Sequence, residues 1–194
     1  MRTSFIATFS FAILFFLADG RAVPGDRTVD EQIKDETQLL EEFDQRLQRY
    51  VAARYRLDAP LPPLVTSEDA AAIRAVVAAH TYALRNERHL AKQGDIFFEE
   101  ITKTFRRRIH EALRGADPGE YLARTKEDDA PQQPAPVVNA VYPGDGALQT
   151  MPSEVLRLLP PLPEGLEYRF IERDLILWDP HAVLIIDFIP NAVY

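Results

Sequence analysis

Residues 166–189 read LEYRFIERDLILWDPHAVLIIDFI, and this stretch decides the fold. It holds three apolar runs, Tyr168–Ile171, Leu175–Trp178 and Val183–Ile189, with short polar breaks between them. Such a pattern is typical of a three-stranded antiparallel meander, and Pro180 suits a turn because its nitrogen carries no proton. A meander this small is marginal in water, so we expect other parts of the chain to cover its apolar face.

The third run is apolar on both faces apart from Asp187. A strand of that kind is normally central in its sheet or covered on both sides. Because this run is the last of the meander, a position at the edge would need something else to cover it. The single tryptophan, Trp178, could lie on either face of the second run. We favour a core position, and an exposed recognition residue is the alternative.

A long amphipathic helix is predicted from Asp30 to the prolines that begin at Pro60. Its apolar stripe consists of Ile33, Leu40, Phe43, Leu47, Tyr50 and Leu57. Glu36 and Arg54 interrupt the stripe, so we favour packing within the chain over a coiled coil.

Two further helices follow. Thr66 and Asp69 have the spacing of a capping box, which predicts a second helix that reaches about Arg88. Gly94-Asp95 is expected to stop the second helical region and to cap a third helix, which ends near residues 114–115. Short connections between three helices favour an antiparallel helical unit, over residues 23–116.

The remaining chain divides into a linker and a C-terminal unit. Residues 117–136 are rich in proline and charge, which predicts an extended, disordered linker with one possible helical turn at Tyr121–Arg124. Residues 137–194 should contain an extra strand at Val137–Tyr142, a short helix at Glu154–Leu159 and the meander. The predicted class is α+β, and whether the helices and the sheet share one core stays open.

The first 22 residues have the pattern of an export signal. Arg2 precedes an apolar run of about 13 residues, Phe5–Leu17, and Gly20–Ala22 has the form of a cleavage site. The mature chain would then start at Val23, in the periplasm or outside the cell. A membrane anchor is the alternative, but the run is shorter than the roughly 20 residues that span a bilayer.

The composition limits the possible partners. Because 30 acidic residues outnumber 22 basic ones, nucleic acid and anionic membrane surfaces are disfavoured as principal partners. The chain has no cysteine, which excludes disulfides, thiolate metal sites and a lipidated N-terminal cysteine. The sequence assigns no cofactor and leaves the oligomeric state open.

The candidate site residues are few. His181 is near Asp174, Asp179 and Asp187 in sequence, and together they could hold a divalent metal or perform acid–base chemistry, with His110 as a further candidate. We favour the simpler interpretation that Asp179-Pro180-His181 is a solvated turn. His80 lies on the apolar face of its helix, where a satisfied core histidine is favoured over a metal ligand.

Arg106, Arg107 and Arg108 form the one basic run, inside the third helix. Neighbouring helical residues point about 100° apart, so the three cannot form a planar anion clamp by themselves. Ordinary ion pairs with Glu99, Glu100 and Glu111 are favoured over a phosphate site. Arg106, Arg107 and Trp178 stay as candidate binding residues.

Two groups of short motifs resemble those of a group of exported bacterial proteins that form a domain family of unknown function. The motifs are QGDIF followed by FRR at residues 93–107, then LPEGLEYRF, RDLIL and DFIP between residues 162 and 190. The resemblance implies a bacterial envelope or secreted protein and brings no catalytic residue with it.

Three functions are compatible with the sequence. The first is a non-enzymatic envelope protein that binds a protein or a small ligand through the helical unit or the edge of the sheet. The second is a metal-dependent hydrolase that uses the C-terminal Asp/His cluster. The third is a helical sensor or chaperone-like oligomer that uses the Ile33–Leu57 stripe. Since no catalytic motif is present, we favour the first.

Overall fold

The computed structural model describes residues 29–63, 69–114, 134–142 and 151–193. Within these ranges four helices are followed by three strands: α1 Val29–Asp58, α2 Ala70–Glu87, α3 Glu99–Ala112, α4 Ser153–Leu158, β1 Glu167–Ile171, β2 Asp174–Asp179 and β3 Leu184–Ile189. The strands form one antiparallel sheet in the order β1-β2-β3, which confirms the α+β class and the C-terminal meander. The export signal at residues 1–22, the helical turn at 121–124 and most of the linker lie outside the described residues.

The helices and one face of the sheet share a single hydrophobic core, which answers the question that the sequence left open. Phe43 of α1 packs against Phe105 of α3 with ring centroids 5.1 Å apart, and Phe105 in turn contacts Tyr168 of β1. Leu175 and Leu177 of β2 are fully buried in the same cluster. The meander thus obtains the cover that its small size requires.

The apolar stripe of α1 is used inside the chain. Phe43, Leu47 and Tyr50 are buried in the core, whereas Ile33 near the start of the helix is 59% exposed. The middle and end of the stripe therefore pack within the chain, as the two interruptions of the pattern indicated.

The opposite face of the sheet carries a second, smaller cluster. Ile176, Ile185 and Tyr142 are buried in it, and Trp178 is partly buried beside them, with its ring 6.4 Å from that of Tyr142. Both faces of the sheet are therefore apolar, which is why β3 shows no simple alternation in the sequence.

The outer edge of β3 is covered by residues 139–142. Asn139 donates to the carbonyl of Ile185, Ile185 donates to that of Ala140, and Tyr142 donates to that of Val183, over 2.8–3.0 Å. The predicted strand at 137–142 is reduced to one isolated bridge, because Asn139 has a φ of 63° and breaks the extended conformation. Even so, the segment occupies the edge that needed cover.

A β-bulge in β3 places Asp187 against the helices. The register shifts between Leu177 and Trp178, so Asp187 lies opposite Leu177 on the core face. Its carboxylate accepts the backbone N–H groups of Ile96 and Phe97, both at 2.8 Å. Asp187 thereby fixes the loop that precedes α3.

Two predicted helix caps are wrong in detail. Asp95 does not cap α3, whose N-cap residue is Phe98, and its carboxylate accepts the backbone N–H of Lys92 instead. At α2 the cap is Asp69 itself, which accepts from Ala71 and Ala72, whereas Thr66 lies outside the described residues. The four predicted helices nevertheless exist close to their expected bounds.

Candidate functional site

An open apolar groove runs along α2, with residues 141–142 and 183 on its other side. Its volume is about 610 Å³. The α2 residues that line it recur every three or four positions and so share one face of the helix. They are Ile73, Arg74, Val77, Ala78, Thr81, Tyr82 and Arg85.

Specific hydrogen bonds hold the two sides of the groove together. The Asn139 side-chain amide donates to the carbonyls of Arg85 and Arg88 at the end of α2, each at 3.1 Å. Thr81 Oγ1 lies 2.7 Å from the carbonyl oxygen of Ala182 and donates to it. The two Asn139 bonds satisfy carbonyls at the end of α2, and all three bonds tie the two sides of the groove together.

The groove carries polar groups that lack partners. Arg74 and Arg85 form no ion pair with any residue in the described ranges. Tyr142 is 2% exposed, and its hydroxyl has no hydrogen-bond partner in the described part of the chain. Burial raises the pKa of Tyr142, so this hydroxyl stays protonated and can donate a hydrogen bond.

A second arrangement brings together Asp58, His80 and His181. The three residues come from the last residue of α1, from α2 and from the turn between β2 and β3. His80 Nδ1 lies 2.5 Å from Asp58 Oδ1, and His181 Nε2 lies 3.2 Å both from Asp58 Oδ2 and from His80 Nδ1. The other nitrogen of His80, Nε2, is 3.0 Å from the carbonyl oxygen of Pro62.

Asp179 anchors the turn that carries His181. Its Oδ1 accepts the backbone N–H of His181 at 2.9 Å and that of Ala182 at 3.2 Å. Its Oδ2 accepts the Tyr50 hydroxyl at 2.6 Å and the Arg54 guanidinium at 3.2 Å. The turn is thereby tied to α1, the helix that supplies Asp58.

The buried Asp179 carboxylate shifts the pKa values of its two partners on α1, Arg54 and Tyr50. Burial opposes the charge of Arg54, but the Asp179 carboxylate outweighs it and raises the pKa of Arg54. Burial, reinforced by the same carboxylate, raises the pKa of Tyr50, so its hydroxyl stays a donor. The interpretation of Asp179 as part of a solvated turn is therefore wrong, since its side chain is fully buried.

The C-terminal acidic residues predicted to gather around His181 do not converge there. Asp179 binds the backbone N–H of His181 and not its imidazole, Asp187 binds the loop before α3, and Asp174 accepts the N–H of Asn191 at 2.8 Å. His110 is an exposed residue of α3. Only His181 among these candidates belongs to the Asp58–His80–His181 arrangement.

The basic run of α3 is engaged by other elements. Arg107 and Arg108 both pair with Glu36 of α1, at 2.7 and 2.8 Å, and Arg106 donates to the carbonyl of Pro190 at 2.6 Å. The ion pairs expected within α3 were therefore assigned to the wrong partners. Glu99 pairs with Lys103 instead.

Sequence reasoning missed Asp58 and Arg54 as partners of the C-terminal turn. A signal for Asp58 was available, because His80 lies on an apolar helix face and a buried histidine needs a hydrogen-bond partner. For Arg54 the signal was its place on the apolar stripe of α1, where a charged residue that is buried with the stripe needs a charged partner.

Comparison with known proteins gives no relative: no family model, no curated protein and no solved structure matches the chain. The resemblance to exported bacterial proteins thus stays a prediction. None of the helices in the described ranges combines the length and the apolar character needed to cross a bilayer.

Proposed function

We propose that this chain is an exported bacterial envelope protein that works as a non-enzymatic binding module. Its ligand is a single-chain amphipathic carboxylate, a fatty acid, held lengthwise in the groove along α2. The observation that carries this proposal is the pair of unpaired guanidinium groups, Arg74 and Arg85, beside an apolar groove in an acidic protein.

The dimensions of the groove favour a small elongated ligand. Its volume of about 610 Å³ falls within the range of about 300–1,000 Å³ that is usual for small-molecule sites. Arg74 and Arg85 are eleven residues apart on α2, which corresponds to about 16 Å along the helix at about 1.5 Å per residue. An acyl chain can lie on the apolar surface between them.

The charges favour a carboxylate at the end of that chain. In a protein with a net charge of −8, the guanidinium groups of Arg74 and Arg85 place positive charge beside the apolar groove. Guanidinium groups bind carboxylates through charge-assisted hydrogen bonds.

Partner binding at the outer edge of β3, the other surface considered from the sequence, is disfavoured. Residues 139–142 already hydrogen-bond to that edge, so an incoming strand would have to displace them. The groove is open to solvent, so a ligand can enter it without such a rearrangement.

The test is a titration of the purified protein with laurate, read by the fluorescence of Trp178, whose ring adjoins that of Tyr142. We expect saturable one-to-one binding that weakens about tenfold or more in the Arg74→Ala/Arg85→Ala double variant, since a charge-assisted hydrogen bond contributes about 1.5–3 kcal/mol. Arg49→Ala, an exposed arginine on α1, is the matched control and should bind laurate like the parent.

Lauryl alcohol separates the contribution of the acyl chain from that of the carboxylate, because it keeps the hydrocarbon chain and lacks the charge. We expect lauryl alcohol to bind the parent more weakly than laurate does. The double variant should bind lauryl alcohol and laurate equally. If laurate does not bind, or if the double variant binds it unchanged, the proposal is wrong. Self-association through the groove, detected as a concentration-dependent mass in light scattering, would assign the groove to a second copy of the chain.

A further inference from the structure

We propose that Asp58, His80 and His181 form a binding site for a divalent transition metal, with Zn²⁺ as the best match. His80 Nδ1, His181 Nε2 and a carboxylate oxygen of Asp58 would be the protein ligands. All three ligand atoms lie within 4.8 Å of one another, although the residues are far apart in sequence.

The hydrogen bonds of His80 favour a bound cation at its Nδ1. The Pro62 carbonyl can only accept, so His80 Nε2 must carry a proton to bind it at 3.0 Å. In neutral His80 the lone pair of Nδ1 then points at the Asp58 carboxylate, 2.5 Å away, which is an unfavourable contact between two acceptors. Either a second proton on His80 or a bound cation removes this conflict.

The same contact has the form of a metal site. Histidine ligands commonly donate their second ring N–H to a backbone carbonyl, which fixes the tautomer and aims the other nitrogen at the metal. His80 makes that contact with Pro62. Its side chain is almost fully buried, so the orientation is held by packing as well.

The position of His181 favours the same ion. Its Nε2 lies 3.2 Å from Nδ1 of His80, and protons on both nitrogens would face each other across this contact. A Zn²⁺ ion with bonds of about 2.0 Å in tetrahedral geometry holds its ligand atoms about 3.3 Å apart. Both His181 contacts, to His80 and to Asp58, measure 3.2 Å and fit that spacing, whereas the 2.5 Å contact between Asp58 Oδ1 and His80 Nδ1 has to lengthen when an ion enters.

The ligand types select the class of metal. Two imidazole nitrogens and one carboxylate oxygen suit Zn²⁺ and similar transition metals, whereas Mg²⁺ and Ca²⁺ prefer oxygen ligands throughout. The side chains of His181 and Asp58 are 32% and 18% exposed, so an ion can enter from the solvent side. Three protein ligands leave the fourth coordination position for water or for a bound small molecule.

Asp179 makes the site rigid before any ion binds. It accepts the backbone N–H of His181 with one oxygen and binds Arg54 and Tyr50 of α1 with the other. Since α1 also ends in Asp58, two of the three ligands are tied to the same helix. This metal site shares no residue with the lining of the groove, so the two proposals can fail separately.

The experiment is a competition titration of the purified protein with Zn²⁺ against a chromogenic chelator. The visible spectrum of the Co²⁺-substituted protein serves as a second measurement. We expect one Zn²⁺ per chain, and an intense Co²⁺ spectrum typical of tetrahedral coordination by nitrogen and oxygen.

The variant to compare is His181→Ala, which removes one ligand from a turn and leaves the Asp58–His80 contact in place. We expect its Zn²⁺ affinity to fall by about tenfold or more, given that even indirect changes around metal ligands cost about 10–100-fold. The control is His89→Ala, an exposed histidine that contacts the carbonyl of Asn86, and its affinity should not change. Asp58→Asn, which keeps the shape of the side chain, should behave like His181→Ala.

Three results would overturn the proposal. They are the absence of stoichiometric Zn²⁺ binding, an affinity that His181→Ala and Asp58→Asn leave unchanged, and an equal loss in His89→Ala. Any of them would mean that Asp58, His80 and His181 do not form a Zn²⁺ site.

Discussion

Replacing Arg54 by methionine should be one of the most damaging single changes on α1. The guanidinium is the charged partner of Asp179, whose side chain is fully buried, and it also donates to the backbone carbonyls of Gly165 and Glu164. Methionine keeps much of the apolar stem but leaves the Asp179 carboxylate without a positive charge. Breaking a buried pair in this way costs about 3–5 kcal/mol.

Part of that cost is offset because Asp179 keeps the Tyr50 hydroxyl and two backbone N–H groups. We therefore expect a loss of about 3 kcal/mol in the free energy of unfolding, measured by urea denaturation. In a chain of this size that corresponds to a fall of about 10 °C in Tm.

The matched control is Arg56→Met, two residues further along the same helix. Arg56 pairs with Glu87 at 2.5 Å, but its side chain is 64% exposed, and such surface pairs contribute about 1 kcal/mol or less. Equal losses in the two variants would refute the assignment of Arg54 as a buried anchor. A double-mutant cycle with Asp179→Asn gives a second check, because the Arg54→Met cost should shrink by at least about 1 kcal/mol when residue 179 carries no charge.

Two more predictions concern acid stability and export. Burial opposes the charge of Glu36, but its bonds to Arg107 and Arg108 outweigh this and hold the pKa of Glu36 below its ordinary value of 4.5. The stabilisation is thus present above about pH 4.5 and is lost as the pH falls through the lowered pKa, so Glu36→Gln should cost about 1 kcal/mol or less at pH 7 and nothing in strong acid. Urea unfolding against pH measures this, with exposed Glu41→Gln as the control, and a pH-independent cost would contradict it. For export, N-terminal sequencing of the protein from a bacterial host should give Val23, and Leu14→Asp should leave the chain uncleaved. Recovery of the parent with Met1 intact would show that residues 1–22 are not a cleaved signal.

The meander and the long helix could be predicted because their signals are local. Three apolar runs divided by turn residues define β1 to β3, and a stripe of period close to seven defines α1. The bulge in β3 could not be predicted, since an extra residue in one strand depends on what its neighbour and the helices require. The extra residue in β3 moves Asp187 to the core face. There the Asp187 carboxylate binds the loop before α3, the helix that Asp95 was expected to cap.

The site was harder to predict than the fold, since its contacts join distant parts of the chain. His181 was recognised as a candidate ligand, but its expected partners were the nearest acidic residues in sequence. The structure instead supplies Asp58 and His80 from two helices. Proximity in sequence is a poor guide here because a turn residue can reach any element packed beside the end of its strand.

The contact between Tyr50 and Asp179 spans 129 residues, and the one between Arg54 and Asp179 spans 125. Contacts of such high sequence separation close large loops, which slows folding. A chain whose last strands have not yet emerged from the ribosome cannot bury Arg54 or complete the core under the sheet. Late closure of this kind keeps a nascent chain unfolded for longer, which is the state that the export proposed above would require.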